Sequence, residues 1–139
     1  MKLVSYLRDG HDQLAFLVDD FLYDCDALHP DLPGNMNMFL NYWDDMFETA
    51  KSVNNAILQG IITKDKGIDI NTIQLLAPIP FPTSCRDGYA FRQHVAAARR
   101  NRKVEMIPEF DQYPIFYFTN HQAVEGPGPV YCMPDHFEQ

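Results

Sequence analysis

No run of apolar residues in this chain approaches the ~18 that a helix needs to cross a bilayer, so the sequence predicts no membrane-spanning helix. The opening stretch has only five uncharged residues between Lys2 and Arg8, too few for the apolar core of a secretory leader. Cysteine is scarce. Cys25, Cys85 and Cys132 are odd in number, widely spaced and never in a CxxC pair, a pattern that predicts free thiols in a reducing, cytoplasmic setting. Internal repeats and low-complexity tracts are missing as well. Basic residues are nearly absent from the front half: residues 1–50 hold ten Asp/Glu against Lys2 and Arg8, which accounts for the whole net charge of −8. Such a surface disfavours nucleic acid and anionic membrane as partners.

The chain is instead rich in apolar and aromatic residues. Hydrophobic residues make up 46% of 139 positions, with ten Phe, seven Tyr and one Trp. That suffices for a core and excludes wholesale disorder. The length suits one ordinary domain, or a small one with part of another. Residues 51–139 balance at nine acids and nine bases, and six of the eleven Lys/Arg fall between Arg86 and Lys103. A basic cluster that local fits a small anionic ligand at least as well as a polymer.

The element order predicts an α+β, mainly β fold. Lys2–Leu7 and Leu14–Val18, split by Asp9-Gly10-His11-Asp12, read as a hairpin, with a third strand at Phe21-Leu22-Tyr23. Residues 29–35, with two Pro and a Gly, form a loop. Met36, Phe39, Leu40, Trp43, Phe47, Ala50, Val53 and Ile57 recur at helical steps, which predicts one amphipathic helix over 36–59. Gly60 stands where a left-handed cap belongs, and the apolar stripe is a packing face. A strand at Thr72–Ala77 comes next. Pro78, Pro80 and Pro82 then enforce an extended segment and mark a domain boundary near 77–84, dividing a β-rich domain (1–76) from residues 77–139. Beyond it the pattern predicts a helix over Asp87–Arg100, a strand at Pro114–Thr119, a Gly126-Pro127-Gly128-Pro129 loop and a strand near Val130–Met133.

Candidate chemistry concentrates in Ser84–Val95. On a helix from Asp87, Asp87 and His94 would share a face, two turns or ~10.5 Å apart along the axis. They could then flank a small substrate but not ligate one metal ion together. Spacing alone favours a plainer reading, with Asp87 as an N-cap and His94 as a histidine at the core edge.

The Asp87-x-Tyr89-x4-His94 spacing after a Pro-rich exit resembles the signature of the fumarylacetoacetate hydrolase family, and so do Leu75-Leu76-Ala77-Pro78-Ile79-Pro80 and the later Pro114–Asn120 and Gly126–Pro129 segments. The likeness is specific over residues 75–134 and general over 1–74. It implies a small SH3-like N-terminal β-barrel, then the opening part of a mixed β-sandwich-roll catalytic domain. It implies that Asp87 ligates a divalent cation (Mg²⁺ or Ca²⁺), that Tyr89 contacts substrate and that His94 is the base that activates water. The family's substrate-binding Arg falls on Lys103, which keeps the charge but lacks the planar fork; Arg99, Arg100 or Arg102 could serve instead. The family's Glu-x-Glu metal ligands are expected just beyond this chain, and Glu138 has no acidic neighbour two residues on to form such a pair. The expected activity is hydrolytic cleavage of a C–C bond in a β-dicarbonyl carboxylic acid, in a homodimer or in association with a missing C-terminal part. Decarboxylation, hydration or isomerisation of related keto acids is the nearest alternative. A non-catalytic binding or assembly module is the second, and nucleic-acid binding by Arg86–Lys103 the third.

Overall fold

In a computed structural model describing residues 1–89 and 91–137, the chain opens with three antiparallel strands, β1 (Leu3–Arg8), β2 (His11–Val18) and β3 (Phe21–Asp24). Two-residue turns join them. Asp9 and Gly10 both have positive φ (49° and 83°) between the paired residues Arg8 and His11, the arrangement that matches strand twist and that Asp-Gly favours. Asp19, at φ 53°, opens the second turn between Val18 and Phe21. Two short strands, β4 (Ile68–Asp69) and β5 (Gln74–Leu75), complete a curled antiparallel sheet in the order β4-β3-β2-β1-β5.

Alternation along the strands gives this sheet two apolar faces. Leu14, Phe16 and Tyr23 pack with Cys25, Leu32, Met36, Phe39, Ala50, Val53 and Ile57 on one side. Tyr6, Ala15 and Leu22 gather Ile68, Ile70, Ile73 and Leu75 on the other, where the sheet curls. Each fully buried aliphatic or Phe side chain contributes about 1.5–3 kcal/mol, so this region carries most of the fold's apolar stabilisation.

The helices here are α1 (Cys25–Leu28), α2 (Met36–Asn41) and α3 (Trp43–Leu58). The expected single helix over 36–59 is therefore two. Asn35 caps α2, its side chain accepting from the Met38 N–H at 2.9 Å. Tyr42 then leaves helical geometry at φ −116°, ψ 32°. Its carbonyl accepts from Asp45 and Met46 to start α3, and Asp44 and Asp45 stabilise the positive end of the new helix. At the far end Gly60 has φ 71°, with Gly60 N–H on the Ile57 carbonyl and Ile61 N–H on that of Ala56. That is the left-handed cap expected at this glycine.

By contacts the chain divides into two compact units, residues 1–81 with 124–139, and residues 82–123. The second holds β6 (Arg86–Gly88) and β7 (Phe116–Phe118), paired antiparallel, and α4 (Arg92–Asn101), whose Val95 is fully buried. The helix expected from Asp87 therefore starts at Arg92. Gly88 is a poor helix former, and the backbone of residues 86–88 pairs instead with an aromatic strand. Two strand expectations also change. Thr72–Ala77 contributes only Gln74–Leu75, because Asp69 caps a 3₁₀ turn over Ile70–Thr72. Val130–Met133 forms no strand, and Val130 and Tyr131 are 80% and 88% exposed.

The described residues thus make a mixed α+β fold with four α-helices. None of those helices is long and apolar enough to cross a membrane. All three cysteines are free thiols. Burial pushes the Cys25 thiol far up, which leaves it unreactive.

Candidate functional site

Asp87 stands on β6 directly opposite Tyr117 on β7, and directly opposed residues share a face of the ladder. The Tyr117 hydroxyl donates to Asp87 Oδ2 at 2.5 Å. That bond, and then the carboxylate's charge, push the Tyr117 phenol above its ordinary value. Tyr89 extends the same ladder, its N–H donating to the Ile115 carbonyl at 2.9 Å. Two residues apart on an extended chain, Asp87 and Tyr89 fall on one face. The other face carries Arg86, whose guanidinium lies 5.3 Å from the ring centres of both Phe116 and Phe118.

Tyr89 is the hub of the candidate site. Its ring meets the His94 imidazole edge-on, with centres 6.1 Å apart at 85°, and Phe110 at 6.2 Å and 88°. His94 lies in the first turn of α4 and is exposed, as is Asp87. The two do not share a helical face, because Asp87 belongs to the strand. Tyr89 connects them, neighbouring Asp87 through the backbone and His94 through its ring.

Lys103 has a structural part to play. It lies just past α4 with φ 56°, its N–H donating to the Arg100 carbonyl and that of Val104 to Arg99. This is the same cap that Gly60 makes, built on a residue with a Cβ. Of the neighbouring cations, Arg99 donates to the Glu105 carbonyl, while Arg92 grips Asp111 with two bonds of 2.8 and 3.1 Å. This pairing raises the Arg92 pKa and lowers that of Asp111. The Arg100 side chain lines a shallow recess with Arg92, Gln93 and Ala96.

As a metal site this arrangement is sparse. Asp87 offers one carboxylate, already accepting from Tyr117, where Mg²⁺ or Ca²⁺ takes six or more oxygens. Among the described residues no three His, Cys, Asp or Glu side chains converge. A cation at Asp87 would need further oxygen ligands, and Glu138 lies outside the described residues.

Sequence reasoning missed the Asp87–Tyr117 bond, which joins residues 30 apart; only strand register brings them together, and register leaves no local trace. It also missed a buried polar cluster in the other unit. Tyr6, 1% exposed, donates from its hydroxyl to Asp24 Oδ1 at 2.7 Å, and Arg8 bonds the second oxygen. Burial pushes the Asp24 carboxyl up, outweighing the pull of the Tyr6 hydrogen bond and of Arg8.

No family model matches the chain, and neither the curated proteins nor the solved structures contain a match to it.

Proposed function

We propose that this chain supplies the base and substrate contacts of a metal-dependent hydrolase resembling fumarylacetoacetate hydrolase, which splits a C–C bond in a β-dicarbonyl acid such as an acylpyruvate. The observation that carries the reading is the edge contact of Tyr89 with His94, two members of the motif, beside Asp87 on the adjoining strand. In this reading His94 takes a proton from water, and the resulting hydroxide adds to a carbonyl carbon. The C–C bond then breaks, its electron pair leaving as an enolate that is later protonated. Tyr89 donates to a substrate oxygen, while a cation from Arg99–Lys103 holds the substrate carboxylate. A divalent cation would need oxygen ligands beyond Asp87.

The curled N-terminal sheet would correspond to the family's small SH3-like barrel, and the residues after the proline segment to the start of its catalytic domain. Cytoplasmic location and a homodimer belong to the same proposal.

The test uses protein expressed from its complete reading frame, assayed for Mg²⁺-dependent acylpyruvate cleavage. His94→Ala should lower turnover by roughly 10²–10⁴, the usual worth of a positioned base, with metal affinity unchanged. Asp87→Ala should lower metal affinity and activity together. A folded His94→Ala protein with wild-type turnover would remove the catalytic assignment, and no cleavage by the wild type would remove the function.

A further inference from the structure

A cavity of about 660 Å³ lies wholly within the unit formed by residues 1–81 and 124–139, and the proposed hydrolase chemistry makes no use of it. Its floor is a row across three strands. Register sets Gln74 opposite Leu7 and Leu7 opposite Asp12, so the three side chains rise from one face of the sheet. Further along that face Leu14 and Phe16 are fully buried, whereas Leu7 is 39% exposed.

Two walls flank the row. One ends in Pro80 and Phe81, and it is tied down by Ser5 Oγ donating to the Pro78 carbonyl at 3.0 Å and Asn37 Nδ2 donating to that of Phe81 at 2.5 Å. The other is Val124–Pro129, pressed so closely onto β5 that a Cβ on Gly126 would come 2.6 Å from the Leu75 oxygen and 2.7 Å from Leu76 Cα. Only glycine permits that approach, and Pro127 and Pro129 stiffen the rest of this wall. The cavity is therefore walled by anchored backbone.

Its chemistry is one-sided. Asp12, Glu125 and His11 line it, and among the described lining residues none is Lys or Arg. The surrounding unit carries fifteen Asp/Glu against five Lys/Arg, a balance that favours cations over anions near its surface. Phe81 and Tyr131, 68% and 88% exposed, add aromatic surface on which a cation can rest. Leu7, Leu76 and the prolines supply apolar contact. Two carboxylates are too few for a hard metal ion, but they suit an organic cation with an apolar body, and the volume falls in the range of small-ligand sites.

We infer that this cavity binds a small organic ammonium or guanidinium compound, its charge held between Asp12 and Glu125 and its apolar part between Phe81 and the 124–129 wall. Phenethylammonium and phenethylguanidinium are the probes, with 3-phenylpropionate as the anionic counterpart of similar shape. They are titrated into the full chain by calorimetry and by backbone amide shifts. At least one cation should bind saturably, one to one, with shifts centred on Asp12 and Gly126, while the anion should not. Asp12→Asn combined with Glu125→Gln should weaken binding at least roughly tenfold, as expected when hydrogen bonds to a charged group are lost. Gly126→Ala, which forces the wall off β5, should weaken it too, with circular dichroism confirming the fold of each variant. Saturable binding of the anion as tight as that of the cations would overturn the proposal. So would the absence of saturable binding by either cation, or full affinity in the folded double variant.

Discussion

Tyr6 holds a polar contact at the heart of an apolar cluster, where its hydroxyl donates to Asp24 Oδ1. Removing that hydroxyl strands a buried carboxylate oxygen, which typically costs about 1–3 kcal/mol. Tyr6→Phe should therefore lower the free energy of urea unfolding by that order at neutral pH. Burial and the hydrogen bond to Asp24 push the Tyr6 phenol up to about 12 from an ordinary 10.0. A group raised on folding contributes stability that is fully present below its unfolded value and lost as pH climbs through its folded one. The gap between wild type and Tyr6→Phe should accordingly be constant from neutral pH up to 10 and narrow between 10 and 12. Unfolding curves across that window check the point, and a constant gap would mean that the phenol is not buried against Asp24.

Both capped helices end on a left-handed residue, yet one uses Gly60 and the other Lys103. At Gly60 an added Cβ would meet nothing within 4 Å, so the conformational preference alone selects glycine there. Lys103 adopts the same region with a side chain that disfavours it. Lys103→Gly should thus stabilise the second unit by about 0.5–1 kcal/mol, read as a higher thermal midpoint. If Lys103 also holds the substrate carboxylate, the same change should raise KM for acylpyruvate cleavage while stability rises. A stabilised variant with unchanged KM would leave Lys103 as a helix cap and pass the carboxylate to a neighbouring arginine.

At the scale of the whole molecule, part of the aromatic stripe expected to be packing face remains uncovered. Trp43 and Phe47 stack with ring centres 4.5 Å apart, while Leu40 and Trp43 are each 41% exposed. With Met1, Leu3 and Lys51 they border a groove of about 540 Å³. Exposed apolar surface of this kind favours association. The chain should therefore show concentration-dependent self-association in sedimentation. Its single Trp should shift to shorter emission wavelength as association proceeds. Trp43→Ser should weaken that association, and a clean monomer across a wide concentration series would count against it.

Local chemistry alone determined a good deal of this protein. Asp9-Gly10-His11-Asp12 signalled a turn, which the fold confines to Asp9-Gly10, short apolar runs between turn residues specified β1 to β3, and the spacing of Ala50, Val53 and Ile57 specified the buried side of α3. Each of these rests on neighbours within a few residues. The break at Tyr42 was not legible, because the apolar period runs through it unchanged: Phe39 before it and Ala50, Val53 and Ile57 after it all join the same buried cluster. Nor could the sequence place Asp87 on a strand, since the choice between helix and ladder fell to a partner strand some thirty residues away. The Tyr6–Asp24 bond, the Asp87–Tyr117 bond and the cavity beside Gly126 are likewise tertiary products. They depend on strand register and on backbone approach between distant segments, and those distances are set only when the chain is folded.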